Sequence, residues 1–398
     1  MSKELQAKSD LILEANTLDL ETCRDQHVAD WILEGMKLTP ERLQRVAQQV
    51  LSLAKLPDPI GVVDRSWRSD QGTGFNRYRV PLGVIALIYE IYPEFAIAGM
   101  SMALKSGNGM ILSSSGAISR THQAVVSLLS EAAYSHGIPE GAIQLVPEEE
   151  LQPFQAGISS TLPLLQQSRY VDLVIPLGRP NWVEAVLQAS TVPVLQTYLG
   201  YGNLFIDASA NWNTIQSLVL NSLGNPTADI LLQPVLLSLL IHPDWSHLYL
   251  DSLVAELLHR GFSLQVGTSL LDRFPHLLPI QEMIDSTEKP HLRLQEIPSV
   301  AEAISWINKY GSRQAEGIFS DSQSNIQRFI QEVDAATIYV NSSLLPYPRH
   351  TLMLGTTGQA KFSLGSSIQK LHVRGPIDLE AFTTIKYVAI GSLSSPLK

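Results

Sequence analysis

A chain of 398 residues is long enough for two or more domains, each around its own core. With 45% hydrophobic and 17% charged residues, its composition is that of an ordinary soluble α/β protein rather than a disordered or fibrous one. A formal net charge of −10 excludes a global basic field for nucleic acid or an anionic membrane, and no stretch approaches the roughly 18–20 apolar residues of a membrane span.

The opening residues, MSKELQAKSDLILEANTLDLET, carry scattered charges and no continuous apolar run, so they read as neither signal peptide nor anchor. Cys23, the only cysteine, leaves no disulfide framework and points to a reducing, cytoplasmic setting. It sits in a polar, helical-looking stretch with His27 four residues on, a spacing that could place the two on one helix face. The expected role of Cys23 is a small residue on a helix face, because an isolated cysteine is rarely activated.

Thr39-Pro40 marks a helix start, a cap residue followed by proline in the first turn. Leu43, Val46, Val50 and Leu53 then recur as an amphipathic stripe. Gly61 to Pro81 is polar and alternating around a Gly72-Thr73-Gly74 turn and predicts a β-hairpin. Val84–Tyr89 reads as a buried strand, Phe95–Lys105 as a helix stopped by Gly107, and Gly109–Leu112 as a second strand. A helix from Ser119 to about Ser135 ends near Gly137. Further short strands are expected at Ile143–Val146, Val171–Ile175, Val192–Leu195 and Asn203–Asp207.

The rhythm continues with strands at Leu237–Ile241, Ser263–Val266, Gly317–Phe319 and Thr337–Val340. Helices at Ser246–Arg260, Val300–Tyr310 and Ser322–Val333 alternate with them. A final strand-like run is Tyr387–Ile390. This β-α-β-α order predicts parallel sheets covered by helices on both faces. His242 and His247 in HPDWSH are five apart, which suits neither a helical zinc pair nor another common metal spacing, so no metal is expected there. There is no GxSxG elbow and no GxxxxGK[ST] loop.

Four blocks, Arg79 to Glu90 (RVPLGVIALIYE), Ala103 to Leu112 (ALKSGNGMIL), Glu332 to Ser343 (EVDAATIYVNSS) and Gln369 to Thr384 (QKLHVRGPIDLEAFTT), occur in this order. Together with LTPERL near residue 40 and VDLVIP near 173, they resemble the gamma-glutamyl phosphate reductases. These are the glutamate-5-semialdehyde dehydrogenases of proline biosynthesis, within the aldehyde dehydrogenase superfamily. The resemblance spans most of the chain. It implies an aldehyde dehydrogenase-like α/β fold with two parallel-sheet domains and an oligomerisation hairpin. The expected cofactor-binding-like domain is 1–60 with 82–202. The hairpin and C-terminal strand are 61–81 and 375–398, and the catalytic-like domain is 203–374. A homodimer or higher homo-oligomer is implied through the hairpin and last strand.

The family's chemistry uses a cysteine thiolate to attack an acyl phosphate, with NADPH delivering hydride to the thioester; a thiolate suits this as nucleophile and leaving group. Asn221 to His242 is where that cysteine should lie, and it contains none. Counting back from Leu239-Leu240-Ile241 puts the nucleophile position at Gln233; counting forward from Asn221 puts it at Ile230. Neither side chain is a nucleophile.

Other positions depart as well. The family's RPN, whose asparagine helps hold the oxyanion, is Tyr92-Pro93-Glu94 here, and a carboxylate at Glu94 would repel developing negative charge. The RFTDG loop is replaced by Leu344-Leu345-Pro346-Tyr347-Pro348, and the CH pair by Asn203-Leu204. The substrate-facing arginines are missing, which leaves a doubly charged acyl phosphate little cationic help.

For NADP(H), the resemblance marks Lys105 and Gly107 near the adenine ribose. Ser113 and Ser114 stand in the block Ser113-Ser114-Ser115-Gly116-Ala117 that replaces RGGxE. Gly178 belongs to the pyrophosphate turn Leu177-Gly178-Arg179-Pro180-Asn181, where a helix N-terminus suits an anion. A glutamate–phenylalanine pair near the nicotinamide ribose has no clear counterpart around Ser286 to Leu294. The aromatics Trp182, Tyr198, Tyr201 and Phe205 surround the family's active-site approach. Most of them fit core packing, and new aromatics there could also line a different ligand or peptide site.

Two functions remain open from the sequence. The favoured one is a pseudoenzyme that keeps the reductase fold and acts as a binding, regulatory or assembly protein. The other is an NADPH-dependent reductase working by an atypical mechanism.

Overall fold

The computed structural model describes residues 1–70, 72–114, 116–146, 162–178, 180–197, 201–223, 235–280, 292–344, 353–355 and 360–391. The chain divides into two compact units, Met1–Thr197 with His350–Lys398, and Tyr198–Arg349.

The first unit opens with helices α1 (Ser2–Ala7), α2 (Ser9–Asp25), α3 (Asp30–Met36) and α4 (Pro40–Ala54). The start of α4 is as the sequence predicts: Thr39 Oγ1 accepts from the Arg42 amide at 3.2 Å. Leu43, Val46, Val50 and Leu53 are all buried. In α2 the side chains of Asn16 and Asp19 are buried and bind backbone. Asn16 donates to Met36 O at 2.9 Å and accepts from the Leu38 amide at 2.8 Å.

After the hairpin strands β1 (Val63–Arg68) and β2 (Gly74–Pro81) come β3 (Val84–Tyr89), α5 (Glu94–Lys105), β4 (Gly109–Ser114), α6 (Ser119–Tyr134) and β5 (Ile143–Leu145). A single turn α7 (Leu162–Leu165), β6 (Leu173–Leu177) and α8 (Pro180–Ala189) follow. The parallel sheet has the order β5-β4-β3-β6, so the chain lays strands on one side of β3 and then crosses to the other. Helix α5 lies close on one face because Gly99 has no side chain: a Cβ there would fall 2.4 Å from Leu87 Cδ2. On the opposite face Ala86, Ile88 and Val174 pack with Leu165, Val186 and Val192. The expected strand at Val192–Leu195 is reduced to one parallel bridge, Val174 to Val194.

The second unit holds β7 (Tyr201–Ile206), α9 (Trp212–Leu223), β8 (Val235–Ile241), α10 (Pro243–His259), β9 (Leu264–Val266), β10 (Leu278–Pro279), β11 (Leu292–Glu296), α11 (Val300–Tyr310), β12 (Ala315–Phe319), α12 (Gln323–Glu332) and β13 (Thr337–Val340). Its seven strands run parallel in the order β10-β9-β11-β8-β7-β12-β13. Strand alternation sends Leu204, Ile206, Leu239 and Ile241 to a core with α9 and α10. Phe205, Leu240 and Ile318 go to the other face, with α11 and α12.

Two sequence expectations change here. Helix α10 starts at Pro243 rather than Ser246, because His242 caps it: its Nδ1 accepts from the Asp244 amide at 3.2 Å. β11 was not expected as a strand at all.

Residues 350–374, assigned from sequence to the catalytic-like domain, group with the first unit. They include β14 (Met353–Gly355), β15 (Ala360–Phe362) and β16 (Ser366–Ser367); β16 pairs with β17 (Gly375–Pro376). The physical reason is Gln369, which donates to Val194 O and accepts from the Gln196 amide, both at 3.0 Å. Strand β18 (Thr383–Ile390) then pairs antiparallel with β2 along its whole length, making β2 the centre of a β1-β2-β18 sheet. Gly72 turns the hairpin at φ +82°, and Trp67 stacks on Phe75 with ring centroids 5.5 Å apart.

Among the described residues no helix is long and apolar enough to cross a membrane, and no group of three or more His, Cys, Asp or Glu side chains could hold a metal ion.

Candidate functional site

In open parallel sheets, ligands bind beyond the C-terminal ends of the strands, where the strand order reverses. In the first unit that point lies between β3 and β6. Strand β3 runs into Glu90, Ile91, Tyr92, Pro93 and then α5; β4 ends in Ser113 and Ser114; β6 ends at Leu177 and Gly178 before α8.

Gly178 is required there by contact. A Cβ on it would lie 2.6 Å from Glu90 Oε2 and 2.8 Å from Trp182 Cε3, so any side chain would displace one of them. Glu90 is itself buried, and its amide donates to Leu177 O at 3.1 Å. Thr197 Oγ1 donates to Pro176 O, closing the next turn of chain against the end of β6.

Ser113 and Ser114 behave differently although adjacent. Ser114 Oγ is hydrogen-bonded to His122 Nδ1, across the turn that joins β4 to α6. The His122 ring packs on Tyr89 at 5.1 Å between centroids. Burial pushes the His122 imidazole down to about 3, so it stays neutral, and its Nε2 is buried without a protein partner. Ser113 Oγ is also buried without a protein partner, in a residue only 1% exposed.

Lys105 and Gly107 do not join these groups. They sit at the opposite, N-terminal edge of the sheet, at the end of α5 and just before β4. At about 3.3 Å per residue, β4 separates the two edges by roughly 16–20 Å. Lys105 Nζ donates to Ala54 O at 3.2 Å, tying down the end of α4. Gly107 takes φ +72°, and a Cβ would meet Pro81 Cγ at 3.0 Å.

The neighbouring Asn108 explains the whole motif. Its Nδ2 donates to Phe382 O and its Oδ1 accepts from the Gly83 amide, both at 2.8 Å. The KSGN turn is therefore the joint that fastens β2, β3 and the start of β18 together. Lys105 and Gly107, expected near the adenine ribose, flank this joint at the N-terminal edge of the sheet.

Glu94 opens α5, and its charge is matched. Arg42 Nε donates to Glu94 Oε1 at 2.6 Å and Nη2 approaches the same oxygen at 2.5 Å. The same guanidinium donates to the carbonyls of Glu34, Gly35 and Lys37. The repulsion expected of this carboxylate is thus offset by a cation that local sequence did not reveal, 52 residues away.

The supposed nucleophile positions Gln233 and Ile230 lie outside the described residues, as do Ser115, Arg179, Tyr198 and Leu345 to Pro348. Around Ser286 to Leu294, only Leu292–Leu294 are described, and they begin β11. Of the replaced CH pair, Asn203 donates twice to Glu316 Oε2, from its amide and from Nδ2, both at 2.9 Å, and Leu204 is core. Burial pushes the Glu316 carboxyl up to about 8.

Trp182 packs in the first unit's core and Phe205 in the second's, so those two belong to separate cores.

Cys23 is 1% exposed, donates to Ala117 O at 3.5 Å, and is pushed up to about 11, first by burial and then by the Asp19 charge. A thiol in that state is inert. His27 lies past the end of α2 at φ 58° and does not continue its face.

Over 399 residues the chain is 34% identical to the gamma-glutamyl phosphate reductase of Gloeobacter violaceus, covering 98% of this chain and 90% of that one. The chain belongs to the gamma-glutamyl phosphate reductase family. The reductase of Geobacillus thermodenitrificans is 32% identical over 395 residues, with 98% and 91% of the two chains covered. The crystal structure of the Thermotoga maritima gamma-glutamyl phosphate reductase superposes with a TM-score of 0.86 at 29% identity, over 100% of this chain and 92% of that one.

An acetylating aldehyde dehydrogenase from Geobacillus thermoglucosidasius, 17% identical with a TM-score of 0.61, covers 100% of this chain and 94% of its own. It shows the shared aldehyde dehydrogenase-like fold. No protein-family model matches the chain. The four sequence blocks that carried the resemblance are now accounted for in part: KSGN and QKLHVRGP act as joints within the first unit, and the start of the YVNSS block is β13.

Proposed function

We propose that the chain is a nicotinamide-dependent reductase of an acyl phosphate, or of its aldehyde in reverse, working without a cysteine thioester. Each relative named above as a gamma-glutamyl phosphate reductase matches along nearly its whole length, which favours the reductase reading over the non-catalytic one expected from the sequence.

The observation that carries the reading is the intact ligand edge of the β5-β4-β3-β6 sheet. Gly178 keeps the backbone bare at the end of β6, where Glu90 and Trp182 leave no room for a side chain, ahead of the N-terminus of α8, and Ser113 offers a buried hydroxyl without a protein partner. Gly178, Ser113 and Ser114 are the residues that would hold the dinucleotide, and the nicotinamide supplies hydride when bound. In the reaction a hydride adds to the carbonyl carbon, the C–O bond to phosphate breaks, and aldehyde and phosphate leave.

Purified protein supplied with glutamate semialdehyde, phosphate and oxidised nicotinamide should form reduced nicotinamide above a protein-free control. No formation, beside an active relative, would overturn the reading.

A second reading, a non-catalytic binding or regulatory protein, is favoured by one observation. The only thiol of the chain is buried and pushed up to about 11, and Asn221 to His242 contains none. Nucleotide binding without turnover would support it.

Either reading is extended to a cytoplasmic homo-oligomer assembled through the β1-β2-β18 sheet. Trp67, Ile385, Tyr387 and Ile390 are exposed there, and light scattering of the purified protein tests it.

A further inference from the structure

We propose that Glu316 is a proton-operated latch for the C-terminal end of α11: its neutral carboxyl seats that helix end on the seven-stranded sheet, and its ionised form releases it. Glu316 belongs to a row of polar side chains in register across five neighbouring strands. The row runs from Glu316 on β12 through Asn203 on β7, Ser238 on β8 and Arg293 on β11 to Gln265 on β9. Strand alternation puts it on the face that carries α11 and α12, two residues before the apolar row of Ile318, Phe205 and Leu240. Glu316, Asn203, Ser238 and Gln265 are all buried, Glu316 and Ser238 completely.

Buried polar atoms need partners, and two in this row have none in the protein. Glu316 Oε2 accepts both bonds from Asn203, while Oε1 is left over. Ser238 Oγ, further along the row, is the other. Oε1 lies under the end of α11. A Cβ on Gly311, the C-cap of that helix, would fall 2.5 Å from Ile307 O, 2.7 Å from Glu316 Oε1 and 3.2 Å from Asn203 Nδ2. The bare glycine lets the helix end close over the carboxyl and brings Oε1 and Ile307 O against the same point.

A neutral carboxyl carries its proton on Oε1, because Oε2 is filled by two donors. A donor suits a helix C-terminus, where the carbonyls gather partial negative charge; a carboxylate there is repelled. Its charge would also lack a counterion. At the end of α11, Lys309 and Tyr310 are exposed, with Lys309 Nζ 4.7 Å from the centre of the Tyr310 ring. Arg313, in the turn that follows, is exposed as well. Arg328 and Glu332 on α12 pair with each other at 2.8 Å. Tyr339 on β13 packs on the opposite face of the sheet, and Arg293 stands three strands away.

Burial accordingly raises the Glu316 carboxyl to about 8, hydrogen bonds from Asn203 and the Arg313 amide oppose the rise, and no charge among the described residues contributes. The two bonds from Asn203 strengthen when the carboxyl ionises, so the start of β7 holds and the helix end yields. Because the closed value lies above the ordinary 4.5, the latch is fully held below 4.5 and is lost as pH rises through about 8.

Hydrogen–deuterium exchange of the full-length protein at pH 7 and pH 9, corrected for the intrinsic rate, tests this. Exchange at residues 304–311 should rise about tenfold while β7 and α10 keep their protection. Glu316→Gln should abolish the rise, since the amide keeps an acceptor for Asn203 and puts an N–H where the acid has its O–H. No excess rise in α11, a rise shared equally by β7 and α10, or the same rise in Glu316→Gln overturns the latch. Should the variant not fold, the comparison of α11 with β7 and α10 in the wild type decides alone.

Discussion

Arg42 and Glu94 form a paired charge at the N-terminus of α5, 2.5–2.6 Å apart, with side chains only 8% and 15% exposed. The pair joins α4 to the segment that leaves the central strand β3, so one contact sets both the helix packing and the chain leaving the sheet edge. Removing one partner of such a pair strands the other. Arg42→Ala should cost about 3–5 kcal/mol, and Glu94→Gln, which keeps an acceptor for the guanidinium, about 1–3 kcal/mol. Urea unfolding of the two variants checks the order; equal losses would contradict it.

Asn108 should matter beyond its size. Its side chain satisfies the Gly83 amide and the Phe382 carbonyl, and it also donates to Ser106 O and Oγ. Asn108→Ala should lose about 1–3 kcal/mol, because the Gly83 amide loses its acceptor and the Phe382 carbonyl keeps only the Leu82 amide. Amide exchange in β2 and β18 should speed up more than in β7 and β8. A uniform change would contradict its role as a joint.

Much of this was readable in advance where the pattern is local. The stripe on α4, the Thr39 cap, the apolar β3 and the hairpin turn at Gly72 are encoded within a dozen residues. What was missed depends on distant partners. Glu94 read only as a carboxylate that would repel an oxyanion, because its partner Arg42 is 52 residues away. β11 escaped because its alternating Leu292, Leu294 and polar neighbours become a strand only between β8 and β9. The place of Lys105 at the N-terminal edge of β4 was not legible either, because a motif match carries no information about which edge of the sheet it occupies.

Glu316 makes stability depend on pH in a direction opposite to most carboxylates. Its folded pKa, raised to about 8 by burial, exceeds the ordinary carboxyl value of 4.5, so the folded state holds the extra proton between these limits. The contribution is full below about 4.5 and is lost as pH rises through 8. Stability measured at pH 5 and pH 8 should therefore fall with pH by an amount that Glu316→Gln removes, since an amide stays neutral. An identical slope in the variant would contradict the buried, protonated state.

His122 acts in the opposite sense. Burial lowers it from 6.5 to about 3, so the unfolded chain takes up a proton that the folded chain refuses. Its neutral form is fully favourable above 6.5, and stability is lost as pH falls toward 3. His122→Gln should flatten the acid limb of the stability profile between pH 6 and 4. An unchanged limb would mean that the ring is reached by solvent.

The measurement that bears most directly on the account is reverse-direction turnover by the wild type and by Cys23→Ala, side by side, with each oxidised nicotinamide. Formation of reduced nicotinamide from glutamate semialdehyde and phosphate is expected at the same rate in both proteins. No turnover in either, or turnover that disappears with the single buried thiol, would contradict a reductase that works without a thioester.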